Sequence, residues 1–408
     1  MGTIARSGTQ IGRSGMKGKE FYRSSAVCIA QKTVGILCVL SPSPSTPRFG
    51  PLRARLPSSR PLFLSFSLPF SHNGCRFRQK LARHAKGGGQ KALSNSAIAA
   101  ELLLVQGNIQ QLFASLPLGC SAKVPKAPCL RPGKMLRPTV LLYAGLALGG
   151  GRERLVEAAS AVEFLHSASL LHDDVIDNAH VRRGEPAAQG NYGSKNAVLW
   201  GDICFAAALR HASKLGDEGV HEVAEAVERM VRGELRQLAM QGNLALTVPA
   251  CIEQQRAKTG ALFSLAAKLG ATVARAPYTM RSLAGEFGEH LGVVFQMKDD
   301  YLDYFGEAHI LGKDLGRDMC EGVVTLPILL ASQLAPHAGL MGRFAEGTLT
   351  VDHLPEVRGW IGDSGAIQSL GVLMRQQREF ALAALRCWPH NEFRDALANC
   401  VEDLDLRC

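Results

Sequence analysis

Acidic residues are nearly missing from the first ninety positions, where fifteen lysines and arginines stand against Glu20 alone. That local charge of +14 exceeds the formal +10 of the whole chain, so residues 91–408 carry about −4. A nucleic-acid-binding fold keeps a basic face in the part that folds, and here the basic excess lies outside it, which excludes that class for the body. Paired cysteine motifs are missing too. The eleven cysteines are scattered, with no CxxC and no spacing that a zinc site needs, and they read as reduced, mostly structural thiols in a reducing compartment. No hydrophobic run is long enough to span a bilayer: Ala26 to Leu40 is broken by Gln31 and Lys32, and Pro61 to Phe70 is too short. Alternating β-branched runs are nearly absent after Ser94, and no repeat of fixed period is visible.

What is present divides near residue 90. Residues 1–90 are rich in Ser, Pro, Gly and Arg, punctuated by Ser41-Pro42-Ser43-Pro44-Ser45 and Lys86-Gly87-Gly88-Gly89, a composition that buries no core. Such an acid-poor, Arg- and Ser-rich start is expected to be an organelle transit peptide, its hydroxylated, Pro-rich character favouring a plastid over a mitochondrion. The alternatives are a plain disordered tail, or a start codon upstream of the true protein, which would leave the chain in the cytoplasm. Residues 91–408 are expected to form one domain. Their Ala/Leu-rich text has helical periodicity, and the spacing predicts helices over 95–115, 137–148, 152–178, 195–213, 217–241, 250–272, 278–305, 322–333 and 364–386. The expected fold class is all-α, a single large bundle of about ten helices around a central cavity.

Two helices carry acids in the same spacing. On 152–178, His166, Leu170, Asp173 and Asp177 step by four, three and four and share one face, with Asp174 beside them. On 278–305, Gln296, Asp299, Asp300 and Asp303 fall at i, i+3, i+4 and i+7. Like charges so close on an apolar helix destabilise it unless something positive compensates, and Mg²⁺, which prefers carboxylates, water and phosphate oxygens, is the natural candidate. Either stripe alone could be a solvated acidic helix end. Basic segments surround both, however: Gly133-Lys134 and Arg137 before the first, Arg182 and Arg183 after it, Lys258-Thr259-Gly260 between them, and Gly312-Lys313 after the second. Carboxylates, metals and cations together describe a diphosphate clamp.

In these motifs the body, about 95–408, resembles the trans-isoprenyl (polyprenyl) diphosphate synthases. They are GKxxRP (Gly133 to Pro138), ExxH (Glu163 to His166), DDxxD with a trailing RRG (Asp173 to Gly184), the Lys258-Thr259-Gly260 triplet, FQxxDDxxD (Phe295 to Asp303), and Gly312-Lys313 with Thr325-Leu326-Pro327 beyond. The resemblance makes 91–408 a catalytic domain that joins isopentenyl diphosphate to an allylic diphosphate. It assigns the catalytic set to Asp173, Asp174, Asp177, Asp299, Asp300, Asp303 and Lys258. Within that set Asp173, Asp177, Asp299 and Asp303 would hold Mg²⁺, three ions per site with substrate bound. Lys134, Arg137, His166 and Arg183 would fix isopentenyl diphosphate; Arg182, Lys258, Thr259, Gln296 and Lys313 would contact the allylic partner. The resemblance also implies a homodimer and a peripheral membrane contact for product release.

Chain length has a handle in Ala168 and Ser169, five and four positions upstream of Asp173, where short-chain members of the family carry bulky aromatics. Small residues there imply a long product, C40 to C50, of the kind used for quinone side chains; a C20 geranylgeranyl product is the alternative. The sequence departs from the family in three places: Pro132 precedes Gly133, a Pro-broken stretch replaces the helix before it, and Val323 stands where a lysine is frequent. Rival readings are weaker. The His172-Asp173 dipeptide of an HD phosphohydrolase leaves the second stripe unexplained, a class I terpene cyclase would lack that stripe together with GKxxRP, and a regulatory subunit typically loses a DDxxD, whereas both are intact.

Overall fold

The computed structural model describes residues 95–115, 133–179, 181–182, 185–308 and 314–406, all within one compact unit, Gly88–Cys408. The expected leader, the Pro-broken stretch before Gly133, and Arg183 and Lys313 lie outside the described residues. Within them the chain is helical except for one hairpin of two-residue strands, β1 (Val181–Arg182) and β2 (Glu185–Pro186). The first helices are α1 (Ala99–Ala114), α2 (Leu136–Ala147) and α3 (Arg152–Ile176). After the hairpin come α4 (Ala188–Tyr192), α5 (Ser194–Ser213), α6 (Asp217–Ala239) and α7 (Val248–Gln255). A π-turn over Arg256–Gly260 leads into α8 (Ala261–Val273), and α9 (Tyr278–Phe305) follows. The last group is α10 (Arg317–Cys320), α11 (Leu326–Leu334), α12 (Ala338–Ala345), α13 (Leu354–Asp363), α14 (Ala366–Ala384) and α15 (Glu392–Glu402).

Small residues decide how closely the central helices pack. Ala158, Ala159, Ser160 and Ala161 on α3 are fully buried, and α3 packs chiefly on α5 as α8 does on α9. One core gathers α2, α3, α5, α6, α8 and the first half of α9 around Phe164, Phe263 and Phe287. A second gathers the latter half of α9 with α11, α13 and α14 around Tyr304, Leu329 and Phe344. Helix α9 therefore contributes to both cores, with Leu291 in one and Val293 in the other. Each large apolar side chain so buried is worth about 1.5–3 kcal/mol. That anchorage lets the polar end of α9 be held at a site.

The expected helices are present, with three differences. The segment 250–272 is broken by the π-turn, because Gly260 must pass the backbone of α9: a Cβ there would meet Glu289, and one on Gly292 would lie 2.7 Å from the Gly260 Cα. The segment 322–333 becomes helical only at Leu326, since Gly322 takes φ 70° and Thr325 is extended before Pro327. Helices α12, α13 and α15 are additional, and each is short, eight to eleven residues long.

Candidate active site

Both acid stripes lie at the C-terminal ends of their helices. Helix α3 stops at Ile176, Asp177 is its C-cap, and Asn178 turns the chain away with φ 49°. The Ala179 amide closes the end on the Asp174 carbonyl at 2.8 Å. Asp299, Asp300 and Asp303 occupy the last two turns of α9, which ends at Phe305. Carboxylates at the negative end of a helix dipole are in the wrong place electrostatically, so the neighbourhood must be positive or hold cations.

The two ends meet across one cleft whose wall includes Asp177 from the first stripe, Gln296 and Asp300 from the second, and Lys258 and Thr259 from the π-turn. Gly233 on α6 lets that turn approach, since a Cβ there would lie 2.7 Å from the Lys258 amide nitrogen. The Lys258 ammonium pairs with Glu234 at 2.6 Å and donates to Gln237 at 3.4 Å. Burial alone would lower the Lys258 pKa, but Glu234, Asp173 and Asp177 together hold it above the usual lysine value. Asp173 and Asp177 therefore act electrostatically on the same cation.

A relay of amides ties the π-turn to the second stripe. Thr259 Oγ1 donates to Gln296 Oε1 at 2.6 Å, Gln296 Nε2 donates to Asp300 at 2.7 Å, and Gln255 Nε2 donates to the other Asp300 oxygen at 2.8 Å. Asp300 is 3% exposed. Burial pushes its carboxyl up to about 7, against the pull of the two glutamine hydrogen bonds. Asp303, also buried, accepts from the Asp318 backbone amide at 3.2 Å and so fixes the loop after α9. Across the cleft, Arg317 donates to the Asp177 carbonyl at 3.0 Å and pairs with Glu321 at 2.5 Å.

A second cluster lies farther up α3. Arg137 lies 4.7 Å from the centroid of the Phe263 ring and 3.2 Å from His166 Nε2, while Lys134 is exposed on the segment before α2. Ala168 is buried against Leu171, Trp200 and Cys204, and the Phe113 ring packs tilted against Trp200 with centroids 5.6 Å apart. Ser169 donates to the His166 carbonyl at 2.9 Å. His172 points the other way, with Nε2 3.2 Å from the Val198 carbonyl and 3.4 Å from Asp202, so it takes no part in the cleft. The structure thus brings Asp177, Lys258, Thr259, Gln296 and Asp300 together and groups Arg137 with His166. Arg182 is placed on β1, its side chain outside the description.

Sequence reasoning did not single out Glu234, Gln237, Gln255, Trp200, Arg317 or Glu321. Glutamine and glutamate on an amphipathic helix carry no signal of their own. Arg317, the first residue of the one-turn helix α10, stood near the motif without belonging to it.

Whether Mg²⁺ suits these residues can be judged from the donors. Among the described residues no three Asp, Glu, His or Cys side chains converge closely enough to cage an ion. Mg²⁺ does not ask for a cage, being held by one or two carboxylates with water and substrate phosphates. On the cleft wall the carboxylates Asp177, Asp300, Asp318 and Glu321 outnumber the one described cation, Lys258, and Gln255 Oε1 is buried without a hydrogen-bond partner. A wall rich in hard oxygen acceptors fits a hydrated hard cation.

An all-α bundle whose two aspartate-rich helix ends face one cleft, with a lysine between them, defines the isoprenoid-diphosphate class of helical enzymes. The family model for polyprenyl synthetase matches residues 123–352, and the chain belongs to that family. It is 33% identical over 268 residues to the octaprenyl diphosphate synthase of Escherichia coli, covering 65% of this chain and 83% of the relative. It is 30% identical to the chloroplastic solanesyl-diphosphate synthase 2 of Oryza sativa, covering 66% and 68%. The structure superposes on a polyprenyl synthase from Caulobacter crescentus solved with calcium and isoprenyl diphosphate, with a TM-score of 0.72 at 31% identity over 79% of this chain and 99% of that one.

Proposed function

We propose that this chain is a Mg²⁺-dependent trans-polyprenyl diphosphate synthase that extends an allylic diphosphate with isopentenyl diphosphate to a long product of C40 to C50, for quinone side chains. The observation that carries the reading is the single cleft shared by Asp177, Lys258, Thr259, Gln296 and Asp300. Asp173 and Asp177 from the first stripe and Asp299 and Asp303 from the second would hold Mg²⁺, whose chemistry here is to stabilise negative charge on a departing diphosphate. Lys258 adds a fixed positive charge beside that group, and Thr259, oriented through Gln296, holds the π-turn at its place. Arg137 and His166, with Lys134 and Arg183, take isopentenyl diphosphate. The C1–O bond of the allylic substrate breaks, the isopentenyl double bond attacks C1, and the proton lost in restoring the alkene leaves with diphosphate. Water has to be kept from the allylic cation, and Val323 and Val324 are the apolar part of the described wall.

Small Ala168 and Ser169 next to the first stripe support a long product, and Trp200 is the bulky group packed against Ala168. Val231, Leu235 and Leu238 form an exposed apolar stripe along α6, which supports a homodimer. No described helix is long and apolar enough to cross a membrane, and product release is assigned to a peripheral contact. The basic, acid-poor 1–90 segment supports plastid import. The test is elongation by the full chain with Mg²⁺, labelled isopentenyl diphosphate and farnesyl or geranylgeranyl diphosphate. A ladder ending near C40 to C50 is expected. A single C20 product refutes the chain length, and no elongation by folded protein refutes the activity.

A further inference from the structure

We propose that Arg317 is a diphosphate-binding residue of the cleft, supplying from the rim the positive charge that the wall at Val323 does not. The inference rests on the prenyl diphosphate reading above and adds a ligand to it. The described wall contains four carboxylates, Asp177, Asp300, Asp318 and Glu321, and one cation, Lys258, while the stretch between Glu321 and Thr325 contributes the apolar Val323 and Val324. Lys258 is already shared with Glu234 and Gln237 on the α6 side. Among the described wall residues, a diphosphate entering with its metal ions meets no further fixed cation, so one on the opposite side has to reach over the rim.

Arg317 is placed to do so. It lies between Asp177 and Glu321, two residues of the wall, and its side chain is 34% exposed. Nε engages Glu321 and Nη2 engages the Asp177 carbonyl, which fixes the plane of the guanidinium. A fork held by two of its nitrogens presents the third in a set direction, and the planar fork matches phosphate oxygens. The Asp177 carbonyl is also the C-cap of α3, so the same guanidinium sits at the negative helix end that carries the first stripe.

The test compares the full chain with Arg317→Ala, Arg317→Lys, and Arg317→Ala combined with Val323→Lys. The first readout is equilibrium binding of inorganic diphosphate in excess Mg²⁺, and the second is the separate KM for farnesyl and isopentenyl diphosphate. Arg317→Ala should weaken diphosphate binding and raise the farnesyl diphosphate KM by about tenfold or more, with the isopentenyl KM within about twofold. Arg317→Lys should lie between. Because Val323 lines the wall, a lysine there returns the charge, and the double variant should recover most of the lost affinity. Unchanged diphosphate affinity in folded Arg317→Ala overturns the proposal. So does an equal rise in both KM values, or a defect that Val323→Lys leaves untouched, since either would mark a residue that shapes the loop and does not bind. Absence of elongation by the unaltered chain would count against the enzyme reading alone, because the binding comparison still decides Arg317.

Discussion

The two acid stripes share one spacing and differ in how they are built. The first ends its helix: Asp177 is a C-cap, half-buried, with Arg317 on its carbonyl. The second stands inside two full turns of α9 and is locked from behind, with Asp300 tied to Gln255 and Gln296 and Asp303 to the loop at Asp318. Identical motifs therefore divide the labour. One stripe is an open rim that charge can enter, and the other is a braced wall that fixes the π-turn bearing Lys258 and Thr259. A repeated motif in a sequence does not imply a repeated role in a fold.

The comparison breaks hardest at the metal positions. Asp173→Ala and Asp299→Ala each remove a hard oxygen ligand from one stripe and should lower turnover by roughly 10²–10³-fold or more while leaving helical circular dichroism unchanged. Full activity in both would remove the metal-clamp argument. Loss in one alone would show that a single stripe carries the cations.

Asp300 separates the stripes by stability instead. Its carboxyl ordinarily titrates at 3.8 and here is pushed up to about 7 by burial. Between those values the folded state keeps a proton that the unfolded chain has lost, so stability falls as pH rises from about 4 to about 7 and is flat above. Thermal unfolding in chelator should show this fall in the unaltered chain, and Asp300→Asn, neutral throughout, should flatten it. Parallel curves for the two proteins would mean that the carboxyl is ionised in the fold. Asp300→Ala should cost about 1–3 kcal/mol, because the Gln255 and Gln296 donors lose their acceptor.

Much of this was legible in the chain. The stripes, the π-turn triplet and the long helices α3 and α9 follow from periodicity and from charges too costly to leave unexplained, and family membership follows from the order of motifs. The bracing was not legible. Gln255 looks like an ordinary helix-surface amide until α7 and α9 are packed together, Gln296 is legible as part of its motif but not as the bridge from Thr259 to Asp300, and the approach of α6 to Lys258 depends on Gly233, a glycine that a sequence reading counts as a minor helix defect. The π-turn itself is a consequence of two backbones crossing at Gly260 and Gly292, which no periodicity records. The short helices α12, α13 and α15 escaped because each buries only two or three large side chains of its own.

The gentlest test concerns what stands one turn upstream of each stripe. Above the second stripe α9 presents Gly292 and Gln296, closed off by the π-turn. Above the first α3 presents Ala168 and Ser169, and the next obstacle is Trp200 with Phe113 behind it. If the growing chain runs along the first, Ala168 and Trp200, which pack on each other, border its path, and changing them should move product length in opposite directions with little change in the rate of the first condensation. Ala168→Phe narrows that path and should shorten the product, at an overpacking cost of about 1–3 kcal/mol. Trp200→Leu opens it and should lengthen the product by one or more isoprene units; leucine keeps the site apolar and loses less packing than alanine would. Chromatography of the dephosphorylated products reads both variants. If neither changes the length, the product passes elsewhere, and small residues upstream of the first stripe are then packing partners of Trp200 and nothing more.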